Sequence, residues 1–496
     1  MNAMEAAIVT VGALGALRWL VPVADEPEPW SLWDAGGAAG LGIAFALATA
    51  LWFPSYFLTK APLTASDWSQ YCESVGAVQG GHAEAVNIQR SMYAAMLPGV
   101  LARGFGVLGG LMIAAIVSQA VLAAGLYTWA RTVAGRCAGI AAVILAMGMT
   151  PLATLSRTVT FYPQDVAVMT LCGAGTALAL TRRDTPGLLA SGVGAGLALL
   201  WDPRGMYWAL TAVAAGTVAA LAAGASSRRV AGLFSVWAPV VVSWGIARTW
   251  TPPSASGLTR QTAAMIAGVL GHAPPDAGHD LVWGVSPLSE LPGQLWRILA
   301  MNTALAAPRP EQADSWLTPW LGWLALACGV LLWSARPGAT GIAVNGGRRR
   351  LVALAVSSAP FAATLLSATR SFGHVRYFAL GFPTVAVVLG VGLTVALAGS
   401  TGRLLNRVPA IRVAGPTPGV AAVGLVCTLL VCGIVPNWLS PVATWREPLV
   451  ADTYPAALLG DPPTATSEDA ACLRLLHADV TASRTAWTYS TPGSRH

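Results

Sequence analysis

The sequence at residues 105–127, FGVLGGLMIAAIVSQAVLAAGLY, contains no charged residue. An α-helix needs about 20 mostly apolar residues to cross the hydrocarbon core of a bilayer. Other parts of the chain repeat this pattern. Together they predict an all-α polytopic membrane protein with about twelve transmembrane helices (11–13), at residues 5–23, 36–56, 105–127, 137–153, 164–181, 187–202, 206–224, 231–250, 315–334, 351–369, 378–398 and 417–436.

The composition supports this interpretation. The chain has 496 residues, of which 55% are hydrophobic and 10% are charged. Soluble domains carry roughly 25% charged residues, and disordered chains have low hydrophobicity. The formal net charge is +7, but the basic residues are scattered between apolar spans instead of forming a basic domain. We therefore exclude soluble, disordered and nucleic-acid-binding proteins.

The arginines predict the orientation of the spans. If the spans alternate, five arginine-bearing connections fall on one side, which the positive-inside rule identifies as the cytoplasm. The acidic loop 24–35 also falls there, while most carboxylates beyond it face outward. The arginine positions are Arg131 and Arg136, Arg182 and Arg183, Arg228 and Arg229, Arg336 with Arg348–Arg350, and Arg403, Arg407 and Arg412.

The same topology predicts the domain organisation. Residues 1–436 form the transmembrane domain, with long outer loops at 57–104 and 251–314. Residues 437–496 form a small extracytoplasmic segment. Cys72 and Cys472 both face this oxidising side and could form a disulfide bond.

The first outer loop contains LTASDWSQYCE at residues 63–73. Ser66 can cap a short helix that begins near Asp67, which would place Tyr71 one turn later on the same face. A carboxylate just outside a span is well placed to act as a general base. The alternative is that Asp67 only caps the helix or lies in its first turn.

Further ionic residues occur at the outer connections. Arg90 can pair with a lipid phosphate, can pair with Glu84 if the loop brings the two together, or can simply lie in solvent or the interface. Arg157 and Asp165 could frame a polar site, although Asp165 could also only complement a helix dipole. Arg204 follows Asp202 in a short connection, where the two side chains satisfy the turn or Arg204 binds a phosphate.

The stretch RSFGHVRYFALGFP at residues 370–383 places His374, Arg376 and Tyr377 at the outer mouth of two spans. Positive charge here opposes the general distribution of arginine. A placement that is unfavourable for topology favours a functional role for these residues.

These segments together resemble the GT-C superfamily of membrane glycosyltransferases, and specifically the protein O-mannosyltransferase and aminoarabinose-transferase type. That family has an acid in its first outer loop with an aromatic residue or histidine a turn later, which Asp67 and Tyr71 match; Trp68 stands where a second acid is usual. It has a short outer connection like that from Arg157 to Asp165. It also has a His-x-Arg-Tyr run before a late span that contains proline.

The resemblance implies transfer of a sugar from a polyprenyl-phosphate donor to a lipid, glycan or protein acceptor. Asp67 would be the catalytic base of an inverting reaction, and Arg376, with Arg157 or Arg204, would neutralise the departing phosphate. The substrate-binding residues would be Tyr71, Arg90, Arg157, Asp165, Arg204, His374, Arg376 and Tyr377. The enzyme would lie in the bacterial inner or plasma membrane, with its active site facing outward.

Two other functions remain open. A lipid or sugar-lipid flippase would need ionisable residues at the middle of its spans, and the sequence shows few. A structural or assembly protein would leave the outward clustering of ionic residues unexplained. No motif predicts a metal ion or another cofactor.

Overall fold

The structure is a computed structural model. It describes residues 32–52, 71, 74–82, 92–148, 161–202, 204–222, 225–250, 288–295, 344–367 and 379–407. All regular secondary structure in these ranges is helical, which confirms the predicted all-α class. The predicted spans at 5–23, 315–334 and 417–436 lie outside the described residues, as do Cys72 and Cys472.

Nine helices of more than ten residues occupy the described ranges. A 3₁₀ turn at Ala379–Gly381 leads into the last of them. The helices are α1 (Leu32–Trp52), α2 (Met92–Ala134), α3 (Arg136–Gly148), α4 (Tyr162–Arg182), α5 (Thr185–Trp201), α6 (Gly205–Leu221), α7 (Ser226–Trp250), α8 (Val344–Ser367) and α9 (Phe382–Arg407).

Helix α2 differs from its predicted span. The span was predicted to begin at residue 105, but the helix begins at Met92 and therefore includes the end of the predicted outer loop. Gly106 interrupts it with φ 74° and ψ 169°, a conformation that is essentially restricted to glycine. Two helical segments meet at Gly106, and the first of them lies almost entirely before the predicted span. The apolar run alone therefore did not reveal where the helix begins.

Helix α4 lies at the centre of the described bundle, in contact with α2, α5, α6 and α8. Its first nine residues, Tyr162 to Thr170, are all buried. A buried hydrogen bond links two of its neighbours, because Trp129 Nε1 on α2 donates to Ser357 Oγ on α8 over 2.8 Å. Helix α9 packs mainly against α3 and α2.

The outer surface of α7 is apolar. Val230, Phe234, Trp237, Val241 and Trp244 follow the helical repeat and are all exposed, Phe234 to 73%. Contiguous apolar side chains on an outer surface are expected when the solvent is lipid. Three stretches of the described chain are long and apolar enough to cross a membrane, at Gly109–Ala134, Ser226–Ala247 and Arg349–Leu366.

The two ends of α4 organise the ends of the bundle. Near its last turn, Thr181 accepts a 3.4 Å hydrogen bond from Arg349 Nη1 of α8. At its first turn, Asp165 lies 3.7 Å from Arg204, which is next to the start of α6. Arg182, Arg183 and Arg349 therefore lie at one end of the bundle, which we call the arginine-rich end. The opposite end carries the buried ionic groups of Asp165 and Arg204.

Candidate functional site

Three of the predicted site residues lie in the described part of the chain. They are Tyr71, Asp165 and Arg204, and all three are buried. The predicted base and five further residues lie outside the described residues: Asp67, Arg90, Arg157, His374, Arg376 and Tyr377. The site can therefore be built from one end of the bundle, around the first turn of α4.

The centre of this end is an ion pair between Arg204 and Asp202. Arg204 Nε donates to Asp202 Oδ1 over 2.7 Å, and Nη2 donates to Oδ2 over 2.6 Å. Two parallel bonds of this kind are the strongest arrangement that a guanidinium and a carboxylate can form. The two residues are only 3% and 4% exposed, so the pair is almost fully removed from solvent.

The local sequence explains why this pair forms. Asp202 ends α5 in an extended conformation, and its Oδ1 also accepts from the backbone N–H of Arg204 over 2.8 Å. The backbone N–H of Gly205 donates to the carbonyl of Asp202, closing a tight turn before α6. Of the two interpretations of this connection, the contacts favour the one in which Asp202 and Arg204 satisfy the turn.

Asp165 adds a second carboxylate to this pair. It lies in the first turn of α4, and its Oδ2 is 3.7 Å from Arg204 Nη2. The guanidinium also lies over the ring of Tyr162, 5.6 Å from its centroid. Burial by itself lowers the pKa of Arg204, but the charge and hydrogen bonds of Asp202 outweigh this effect and hold it above its ordinary value. Arg204 therefore stays charged at every relevant pH.

The start of α4 also contacts both sides of the first outer loop. The ring of Tyr71 meets that of Phe161 edge to face, with centroids 4.7 Å apart and planes at 70°. Gln164 Nε2 donates to the carbonyl of Ala94 on α2 over 3.0 Å. These contacts hold Tyr71 and Ala94, two described residues of the predicted loop 57–104, against the start of α4.

Three further residues at this end, Phe161, Tyr162 and Gln164, are not among the predicted site residues. All three are buried and all contact site residues or the loop that holds them. The signal that could have identified them is their position, because the run Phe161-Tyr162-Pro163-Gln164 directly precedes the first-turn acid Asp165. An aromatic pair at a membrane boundary is common enough that this pattern alone would have been weak evidence.

The buried ionic network at this end consists of two acids and one arginine. The buried charged residues in the described part of the chain are Asp165, Asp202 and Arg204, and all lie at this one end. Two carboxylates share one guanidinium, so the whole set remains anionic when every group is ionised. Such a network can hold the surrounding backbone rigidly and impose a fixed field on neighbouring groups.

No protein-family model matches the sequence. No curated protein matches it either. Solved structures do match in three dimensions. The crystal structure of ArnT from Cupriavidus metallidurans in the apo state is 14% identical; the match covers 91% of this chain and 89% of that chain, with a TM-score of 0.50.

Two other crystal structures match with lower TM-scores. ArnT from Cupriavidus metallidurans bound to undecaprenyl phosphate is 14% identical, covering 91% of this chain and 79% of that one, with a TM-score of 0.46. The apo oligosaccharyltransferase from Archaeoglobus fulgidus is 11% identical, covering 93% and 62%, with a TM-score of 0.48. The match to apo ArnT extends over most of both chains, and it shows that this protein has the GT-C membrane fold.

Proposed function

We propose that this protein is an integral membrane glycosyltransferase that moves a sugar from a polyprenyl-phosphate donor to an acceptor on the extracytoplasmic face. The observation that carries the proposal is the convergence of Tyr71, Asp165 and Arg204 at one end of a GT-C fold. These residues are far apart in sequence.

In the proposed reaction, the Asp67 carboxylate accepts the proton of an acceptor hydroxyl or amine. The freed electron pair attacks the anomeric carbon of the sugar from the face opposite the phosphate. The bond from that carbon to the phosphate oxygen breaks, and the polyprenyl phosphate leaves with its electron pair. The configuration at the anomeric carbon is therefore inverted.

The arginines have two different roles in this proposal, phosphate binding and positioning of α4. Arg376 and Arg157 would neutralise the phosphate, whose charge grows in the transition state. Because Arg204 already directs two nitrogens to Asp202 and lies near Asp165, we assign it to holding the start of α4, where Phe161 contacts Tyr71. Arg90, His374 and Tyr377 would complete the donor site.

The distribution of buried charge favours an enzyme over a flippase. A flippase that moves a phosphate across the bilayer needs polar groups along the middle of its path. In the described ranges, the buried charged residues instead lie together at one end of α4. A site at one membrane surface is what transfer between two surface-bound substrates requires.

The test supplies the full-length protein in lipid nanodiscs with a panel of radiolabelled polyprenyl-phosphate sugars and with acceptors from a membrane extract. We expect release of sugar from one donor, and Asp67→Asn to slow it by about 10²–10⁴-fold because the base is lost. Asp184→Asn is the matched control, since that acid lies at the opposite end of α4.

Three results would contradict parts of the proposal. Equal turnover by Asp67→Asn and the wild type would remove Asp67 as the base while leaving the transferase activity in place. Passage of intact donor across the membrane without cleavage would identify a flippase. Absence of both cleavage and passage with every donor and acceptor would reject the polyprenyl-phosphate donor.

A further inference from the structure

The first segment of α2, residues 92–105, contains a proline that removes a hydrogen bond from the helix. In an α-helix, the carbonyl of each residue accepts from the N–H four residues later. Pro98 has no N–H, so the carbonyl of Ala94 loses its helical donor. Ala94 is only 1% exposed, and a buried carbonyl without a donor is unfavourable. This carbonyl therefore needs a donor from another part of the protein.

Gln164, in the first turn of α4, supplies that donor. Its Nε2 donates to the carbonyl of Ala94 over 3.0 Å, and both residues are buried. Because a carbonyl can only accept, the amide must present its nitrogen to Ala94, and this requirement fixes the orientation of the amide. The bond therefore joins α2 to α4 at the point where Pro98 interrupts the helical hydrogen bonds of α2.

The fixed orientation leaves the amide oxygen of Gln164 unpaired. Gln164 is 3% exposed, and its Oε1 accepts no hydrogen bond from the residues that the structure describes. An unpaired buried acceptor is unfavourable. Local costs of this kind are concentrated at functional sites, where one contact matters more than the full satisfaction of every group. The contact that matters here is the one from Nε2 to α2.

This bond joins two parts of the candidate site. The first segment of α2 forms the end of the predicted outer loop 57–104, and the residue next to Gln164 is Asp165, which lies 3.7 Å from Arg204. The first segment also folds back over the second, because a β-carbon on Gly110 would overlap the carbonyl oxygen of Pro98. Since the helix is broken at Gly106, contacts such as these decide where the first segment lies.

We propose that Gln164 is a positioning residue of this site: its bond to the carbonyl freed by Pro98 fixes the end of the first outer loop relative to the turn that carries Asp165. The inference rests on the proposed transferase function, because it concerns the geometry of the same site. Gln164 acts through the backbone of α2 and contacts no substrate in this proposal. Its loss should therefore lower kcat and leave the KM for the donor unchanged.

The experiment compares four full-length proteins: the wild type, Gln164→Met, Pro98→Ala and the double variant. Methionine is close to glutamine in size but cannot donate to Ala94. Gln164→Met should lower the melting temperature by a few degrees, since it leaves a buried carbonyl unpaired. It should also lower kcat by about 10²-fold. Pro98→Ala returns an N–H to Ala94 within α2, so the double variant should recover the melting temperature but not kcat.

A second measurement reports the position of α2 without turnover. In a chain whose native cysteines are replaced by serine, spin labels at the exposed positions Val100 and Leu210 give the distance from the first segment of α2 to α6. Gln164→Met should broaden the distribution of this distance, with or without Pro98→Ala. Gln79→Met is the matched control, because Gln79 Nε2 donates to the carbonyl of Ala102 on the same segment over 2.9 Å without involving α4.

The outcomes separate this inference from the proposed function. Recovery of kcat in the double variant would overturn the inference, because Gln164 would then only satisfy a carbonyl. A distribution in Gln164→Met as narrow as in the wild type would overturn it too, as would equal broadening by Gln79→Met. Broadening that is specific to Gln164→Met, in a wild-type protein that turns over no donor, would support the position assigned to Gln164 and reject the transferase function.

Discussion

At the scale of single residues, burial of the ion pair between Arg204 and Asp202 has the largest desolvation cost. Removing both charges from water costs several kcal/mol per ion unless they are well paired. The bidentate geometry and the adjacent Asp165 meet this need. The sequence showed an acid and an arginine in a short connection. It did not show that Asp165, far earlier in the chain, also lies beside Arg204, because that contact depends on how α4 packs.

The first prediction concerns this network. Arg204→Met leaves Asp165 and Asp202 buried without their cation, and we expect it to lower the free energy of unfolding by about 3–5 kcal/mol. Arg182→Met is the matched control, because its pair with Asp184 is about 45% and 36% exposed. That exposed pair should contribute at most about 1 kcal/mol.

The measurement is denaturant unfolding in detergent, followed by tryptophan fluorescence. Replacing Arg204 and Asp202 together, by Met and Asn, should restore part of the loss because one uncompensated charge is removed. Equal destabilisation by Arg204→Met and Arg182→Met would show that the buried network adds no more than a surface ion pair.

At the scale of secondary structure elements, α2 shows where apolar runs stop being informative. A run without charges predicted the span, and that part is helical. The preceding segment is less apolar and contains Pro98 and Arg103, so its hydropathy pattern is typical of a loop. It is nevertheless helical, because its side chains pack against other elements; Ala94, Ala95 and Ala102 are all buried.

The second prediction concerns the break in α2. Gly106→Ala places a β-carbon on a residue with φ 74° and ψ 169°, which should cost about 1–3 kcal/mol. Gly104→Ala is the control, since a β-carbon there meets nothing within 4 Å. The melting temperature in detergent should fall for Gly106→Ala and stay close to the wild-type value for Gly104→Ala. A melting temperature for Gly106→Ala equal to that of Gly104→Ala would mean that the break tolerates other residues.

At the scale of the whole molecule, the structure separates an arginine-rich end from an end with buried ionic groups. The predicted topology assigns the first to the cytoplasm and the second to the outer face. Ser227 lies at the arginine-rich end and is exposed. His82 is also exposed and lies near the opposite end, where its neighbour Val78 contacts α2.

The third prediction tests this orientation. In a chain whose seven native cysteines are replaced by serine, His82→Cys should react with a membrane-impermeant maleimide in intact cells. Ser227→Cys should react only after the membrane is permeabilised. Labelling of both sites after permeabilisation is the control for accessibility. The reverse pattern would invert the topology and move the proposed active site to the cytoplasm.

The sequence by itself determined the membrane class, the all-α fold and the approximate ends of α4 to α7. A helix that spans lipid needs a long run of apolar residues. Arginine pairs and turn residues interrupt these runs, so the ends of the helices can be read from the sequence. It also selected Tyr71, Asp165 and Arg204, because ionic and aromatic residues are conspicuous in so apolar a chain.

Only the tertiary structure decided which of these residues meet. The contact of Tyr71 with Phe161, and the sharing of Arg204 between Asp202 and Asp165, join positions far apart in the chain. Such pairings depend on helix packing, which is set by close approach at small residues and by side-chain shape across several helices at once. Helix packing of this kind leaves no regular pattern in a single sequence. The bilayer does leave one, because every span must be apolar.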